Sequence, residues 1–211
     1  MGKGKFITVE GGEGVGKTTN IEFVRARLEA AGIDVLVTRE PGGTPLGEAI
    51  RVLLLDPKYT GMDPACELQL MFAARAEHLA SIVWPALEKG QWVLCDRFTD
   101  ATYAYQGSGR GIDTGKIAQL EQWVQGEFRP DITLLLDVPV EVGLARASER
   151  GALDRFEREK AEFFERVRQG YLEMAKEHAD RYRVIDASLP LERVQQQLAE
   201  TLKEVLQGLP L

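Results

Sequence analysis

Residues 6–24 read FITVEGGEGVGKTTNIEFV. An apolar, strand-like run from Phe6 to Glu10 enters a glycine-rich loop, and Ile21, Val24 and Leu28 then recur at helical spacing. Gly11 to Thr18 satisfies G-x-x-x-x-G-K-[ST] in its required strand–loop–helix setting. Glycines let successive backbone N–H groups turn toward one anion with no Cβ in the way, and the following helix adds its positive end. Lys17 supplies a point charge for the outer phosphates, and the Thr18 hydroxyl suits a Mg²⁺ ion. The stretch therefore predicts nucleoside triphosphate binding by Gly11, Gly12, Glu13, Gly14, Val15, Gly16, Lys17, Thr18 and Thr19. Glu13 is the anomaly, because it puts a carboxylate in a loop built for anions.

Four further apolar runs look like buried parallel strands: Val35–Val37, Trp92–Cys95, Ile132–Leu136 and Val184–Ile185. Helical patterns separate them, including one through Leu68, Phe72, Arg75 and Leu79 and others at 140–147, 163–174 and 191–206. Strand alternating with helix predicts an α/β, three-layer P-loop NTPase fold with a five-stranded parallel sheet. No repeat or linker divides the 211 residues, so one domain, 1–211, is expected. A net charge of −7 argues against a broad nucleic-acid surface. No apolar run reaches membrane-spanning length, and neither a signal peptide nor a myristoylation site is expected from the first residues. Cys66 and Cys95 lie in no Cys/His cluster and read as reduced, mostly buried thiols of a cytoplasmic protein. His78 and His178 read as ordinary helix residues.

What happens to the γ-phosphate is a separate question. A switch or motor hydrolyses the nucleotide, a small-molecule kinase passes the phosphoryl group on, and a regulatory module only binds. No N-K-x-D segment marks a guanine switch. A kinase needs acceptor-site arginines and a lid that excludes water. Arg39 follows the second strand and Asp96-Arg97 end the third, at the sheet edge where open α/β folds bind ligands. Asp96 suits metal-bound water and Arg97 an acceptor phosphate. Arg51 lies on the helix after the turn Pro41-Gly42-Gly43, which Thr44 is placed to cap. The charged stretch RASERGALDRFEREK, 146–160, reads either as a solvated helix face or as a mobile lid, whose extent would be about 146–158.

Seven segments in order carry a more specific likeness: EGGEGVGKTT, TREPGGTPLGEAIR, MFAARAEHL, CDRFTDATYAYQGSGRG, FRPDITLLLDVP, RGALDRFE and VIDASLPLE. Over nearly its whole length the chain resembles the bacterial thymidylate kinases. The resemblance implies transfer of the γ-phosphoryl of ATP to dTMP, a requirement for Mg²⁺ held near Thr18 and Asp96, and a homodimer. It implies that Arg39, Arg51 and Arg97 surround the acceptor phosphate. Arg75 should approach the thymine edge, with Phe72 stacked on the ring, although Met71 stands at the family's usual aromatic position. Thr102 should bond the base, Tyr105 crowd the 2′ side of the sugar, and Gln106 contribute to the acceptor site. The backbone at Ala187 and Ser188 should meet adenine. The phosphate loop lacks the arginine that some relatives carry there, so the lid's Arg150 and Arg155 should join Lys17 and Arg97 in stabilising the transferring group, with Asp154 orienting an arginine. Glu13 should sit beside the dTMP sugar. Two alternatives stay open: a kinase for another nucleoside monophosphate, and a non-catalytic ATP-binding regulator.

Overall fold

The computed structural model of the chain describes residues 4–148 and 154–207. Five strands, β1 (Phe6–Glu10), β2 (Val35–Arg39), β3 (Trp92–Asp96), β4 (Ile132–Asp137) and β5 (Tyr182–Asp186), form one parallel sheet in the order β2-β3-β1-β4-β5. The helices are α1 (Lys17–Ala30), α2 (Pro45–Leu55), α3 (Pro64–His78), α4 (Trp84–Glu88), α5 (Thr99–Thr102), α6 (Thr114–Gln125), α7 (Val140–Ser148), α8 (Ala161–Glu177) and α9 (Leu191–Gln207). Two π-helical stretches, Leu79–Val83 and Tyr103–Gly109, continue α3 and α5.

Side chains alternate across a strand, and the core divides accordingly. Ile7 and Val9 of β1, Leu94 of β3, and Leu134 and Leu136 of β4 pack with Val24 and Leu28 of α1 and Val194 and Leu198 of α9. On the opposite face Phe6, Val93 and Cys95 meet Leu79, Leu87 and Phe98, while Leu135 and Tyr182 meet Phe163, Val167 and Tyr171. Every residue of β1 is buried, as a central strand covered on both faces requires. Leu68, Phe72 and Leu79 belong to this interior rather than to a free helix face. Thr44 does cap α2, accepting from Gly47 N at 2.9 Å, with Pro45 in the first turn.

One of the two cysteines departs from the sequence expectation. Cys95 is buried in β3, but Cys66 is exposed in the first turn of α3. That turn lies outside the packed face of the helix, which begins at Glu67 and Leu68.

The phosphate loop is seated against α7. Gly14 has φ +67°, and a Cβ there would run into the carbonyl oxygen of Gly143 in α7; a Cβ on Gly143 would meet the carbonyl oxygen of Glu13. Alanine at a helical glycine normally gains about 1 kcal/mol, whereas forcing a methyl into closed packing costs about 1–3 kcal/mol. Backbone on both sides leaves little room to yield, so packing wins. Gly143→Ala should lower stability by about 1–2 kcal/mol in urea unfolding and weaken ATP binding; a stabilised variant would refute this tight seat.

Candidate active site

The C-terminal ends of β1, β2 and β3 open into one cleft. Its walls include Glu13 to Thr18 of the phosphate loop, Glu40 and Pro41 after β2, Arg51 and Leu55 of α2, Met71 and Arg75 of α3, and Asp96, Arg97 and Phe98 after β3. Ala101, Thr102, Tyr105 and Gln106 complete one side, and Asp154, Phe156 and Glu157 close over another.

Glu13 is held at the junction of the two halves. Its Oε1 accepts from Arg97 Nη2 at 2.9 Å and from the Tyr105 hydroxyl at 2.8 Å. Burial pushes the Tyr105 phenol well up, so it stays a donor. Arg97 Nη1 donates to the Gly11 carbonyl at 2.8 Å and to Tyr171 at 3.3 Å, and the guanidinium lies 4.7 Å from the centre of the Tyr105 ring. Arg97 has φ +68°, a left-handed conformation uncommon for a side-chain-bearing residue. Its bonds to two elements hold it there. Lys17 Nζ folds back onto the Gly12 carbonyl at 3.0 Å, and burial, then the Arg97 charge, pull its pKa down. A phosphate arriving between Lys17 and Arg97 would relieve that repulsion.

Of the three arginines expected around an acceptor phosphate, Arg51 and Arg97 line the cleft. Arg51 donates to the Pro41 carbonyl at 2.9 Å and, among the described residues, pairs with no carboxylate. Arg39 sits at the rim, half exposed and bidentate on Glu48 at 3.2 and 2.8 Å. Its guanidinium is turned to Glu48. The aromatic assignment also changes. Phe72 is buried among Leu68 and Ile117 with its ring against Arg75, and Met71 is the residue on the cleft wall. On a helix, one position of offset rotates a side chain by about 100°, which separates the two.

The lid arginines part company as well. Arg150 lies outside the described residues. Arg155 does not line the cleft: it is buried, its Nε donates to the Leu54 carbonyl at 2.7 Å, and its Nη2 lies 2.6 Å from Glu67 Oε2, an ion pair by distance whose angles are not those of a hydrogen bond. The guanidinium thus ties this segment to the C-terminal end of α2 and to a buried acid of α3. Asp154 does not orient that arginine; its carboxylate caps the next turn by accepting from Phe156 N and Glu157 N at 2.8 and 2.9 Å. On the adenine side, Arg146 Nη1 donates to the Ala187 carbonyl at 2.9 Å, fixing that loop, while Ser188 is exposed. Gly11 and Gly12 form the back of the loop, and Thr19 faces solvent.

Thr18 and Asp96 open onto the cleft together, and Asp96 Oδ1 is buried without a hydrogen-bond partner. An orphaned carboxylate oxygen beside a hydroxyl suits a hard cation that keeps waters and phosphate oxygens as its other ligands. The residues present fit Mg²⁺.

Several buried acids had no sequence signal strong enough to single them out. Glu67 holds Gln106 Nε2 at 2.8 Å besides Arg155 and Arg110. Glu40 holds Arg75 and His78, at 2.8 and 2.9 Å, so His78 is a buried network residue and not an ordinary helix position. Its placement three residues after Arg75 was the available clue. Glu10 accepts from Phe98 N and from the Tyr171 hydroxyl, each at 2.7 Å.

Burial, followed by the nearby Asp100, raises the Glu10 pKa from 4.5 to about 8. Unfolded, Glu10 ionises above about pH 4.5; folded, it keeps its proton until near pH 8. The native state thus binds more protons across that window, and stability falls as pH rises through it. Glu10→Gln should flatten the slope of urea-unfolding stability between about pH 5 and 8, and at pH 8 it should be more stable than the parent by a few kcal/mol. An unchanged slope would show that Glu10 titrates normally.

With this geometry described, known proteins can be set beside it. The family model described as Thymidylate kinase matches residues 9–198. A thymidylate kinase of Pseudomonas fluorescens is 58% identical over 204 residues, 97% of each chain. One from Alkalilimnicola ehrlichii is 60% identical over 203 residues, 96% of this chain and 94% of its own. The crystal structure of thymidylate kinase from Ehrlichia chaffeensis superposes with a TM-score of 0.76 at 36% identity, covering 96% of this chain and 99% of that one.

Proposed function

The chain belongs to the thymidylate kinase family, and from that membership we infer its reaction: the γ-phosphoryl group of ATP passes to dTMP, giving dTDP and ADP. This is the step that feeds dTTP synthesis for DNA replication. The observation that carries the reading is the single cleft in which Gly14 to Thr18 face Arg51, Arg75 and Arg97. A hydrolase needs only the triphosphate half of such a site. Cations on the opposite wall supply the half that receives a second anion.

The acceptor is already a phosphate oxygen, ionised at neutral pH, so no strong general base is required. The protein's contribution is alignment and fixed positive charge. Lys17 and the backbone donors of the loop hold the β- and γ-phosphates. Arg51 and Arg97 hold the dTMP phosphate in line with them. Arg150 of the lid adds charge at the transferring group on closure, and Arg155 anchors the lid. Mg²⁺ at Thr18 and Asp96 would neutralise the phosphate oxygens. Arg75 and Thr102 address the base, Met71 packs against it, Tyr105 crowds the 2′ position, and Gln106 is set by Glu67. Glu13 meets the sugar from the donor side. Ala187 and Ser188 lie beside adenine. Phe156 and Glu157, already over the cleft, help exclude water.

The working protein is further proposed to be a cytoplasmic homodimer. Apolar side chains left bare on α2 and α6, chiefly Val52 and Trp123 at 65% and 83% exposure, support a second copy as partner. The unpaired cysteines suit a reducing compartment. Among the described residues, no helix is long and apolar enough to cross a membrane.

ADP release measured over a panel of nucleoside monophosphates tests the reaction. Turnover should require dTMP and Mg²⁺; preference for another monophosphate, or none with any of them, would overturn it in favour of a different kinase or a binding module. Arg51→Ala should raise the dTMP KM by more than about tenfold with the ATP KM nearly unchanged. Arg97→Ala should harm both, since Arg97 also braces Gly11 and Glu13. Equal losses for ATP and dTMP in Arg51→Ala would remove it from the acceptor site.

A further inference from the structure

Behind the cleft wall lies a polar chain that substrate contact alone does not explain. Arg75 is 2% exposed, Glu40 4% and His78 0%. Glu40 Oε2 accepts from Arg75 Nε at 2.8 Å, and Oε1 from His78 Nδ1 at 2.9 Å. A carboxylate only accepts, so Nδ1 carries the proton. In the neutral ring Nε2 is then the acceptor for the Thr38 hydroxyl, 2.7 Å away. Arg75 Nη2 donates to Thr102 Oγ1 at 3.0 Å, and its guanidinium lies between the Phe72 and Phe98 rings, 4.8 and 5.2 Å from their centres.

The guanidinium is planar and rigid. Once Nε and Nη2 are bonded, the position of Nη1 is set. That nitrogen is buried with no partner, on a residue that lines the cleft. We propose that Thr38, His78 and Glu40 form a positioning relay that aims the Arg75 Nη1 donor at the base of the acceptor, making His78 a specificity-determining residue that touches no substrate. The proposal rests on reading this wall as the nucleoside monophosphate site.

The chemistry sets the selectivity. A fixed, buried N–H donor aimed at the C4 position is satisfied by the carbonyl that thymine and uracil carry there, and left unmet by the amino group that cytosine carries there. An unmet buried donor is costly, so discrimination is strong only while the donor cannot swing aside. The relay removes that freedom. It also gives the Pro41-Gly42-Gly43 turn a second purpose. A Cβ on Gly43 would lie 2.6 Å from both His78 Cδ2 and Thr38 Oγ1, so the turn packs directly on the imidazole. Buried ion pairs seldom add net stability, which makes aim the better account of why Glu40 and Arg75 are paired here.

The test is steady-state kinetics of the full chain with dTMP, dUMP, dCMP and ATP. His78→Leu removes the donor to Glu40, whereas His78→Gln keeps an amide able to donate to Glu40 and accept from Thr38. His78→Leu should raise the dTMP KM about tenfold, change the ATP KM less than about twofold, and cut the dTMP-over-dCMP preference about tenfold. His78→Gln should recover most of each loss, and Thr38→Val, a near-isosteric change, should give a smaller loss in the same direction. A folded His78→Leu with unchanged dTMP KM and preference, losses equal for ATP and dTMP, or no recovery in His78→Gln would each overturn the relay. If His78→Leu does not fold, Thr38→Val decides: an unaltered dTMP KM and preference overturns it. Parent enzyme that turns over dTMP while the variants are indifferent sinks the relay alone; parent enzyme inert toward dTMP sinks the reaction itself.

Discussion

A carboxylate inside a phosphate loop persists only if a cation is fixed beside it, and that cation is Arg97. The pair is possible because β1 and β3 are neighbours in register, with Val9 opposite Asp96. The loop leaving β1 and the residue leaving β3 therefore emerge side by side. Arg97 takes Glu13 with one nitrogen and the Gly11 carbonyl with another, and Tyr105 closes the group from the far wall. The charge that looked misplaced thus ties the phosphate loop to Arg97 after β3 and to Tyr105 across the cleft.

The same device recurs deeper in the wall. Glu40, Glu67 and Glu10 are buried acids, and each is satisfied by groups from distant parts of the chain: Arg75 and His78, then Arg155 and Gln106, then Tyr171 and the backbone at Phe98. Removing one partner from Glu40 or Glu67 leaves a buried charge poorly compensated, and removing one from Glu10, which keeps its proton until near pH 8, leaves a buried polar group unsatisfied. Each network therefore has one low-energy arrangement, and the cleft inherits its shape from them. The segment at 154–160 joins this scheme through Arg155, which ties it to α2 and α3. Glu67 touches both Arg155 and Gln106 on the cleft wall, so that segment and the wall share one carboxylate.

The sheet, its flanking helices and the phosphate loop were legible in the sequence, because each depends on local signals. Short continuous apolar runs mark buried strands, 3.6-residue spacing marks helices, and the glycines at 11, 14 and 16 with Lys17 and Thr18 mark the cradle. Asp96-Arg97 could be placed at the ligand edge because strand ends in a parallel sheet all meet there. The resemblance to a known family extended this reading to Arg51, Arg75, Thr102, Tyr105 and Gln106, all of which line the cleft.

Direction and partnership were decided only by the tertiary structure. Whether Met71 or Phe72 faces the cleft depends on how α3 is rotated against α6, which the packing of Phe72 on Ile117 settles. Arg39 and Arg155 have the chemistry for phosphate, yet Glu48 and Glu67 claim them. His78 reads as one more helix residue until the turn at Gly43 folds over it and brings Glu40 to its ring. The physical reason is common to these cases. A sequence states which groups can donate, accept or carry charge, but a hydrogen bond or ion pair needs partners within about 3–4 Å, and in this chain those partners come from elements that only the folded sheet brings together.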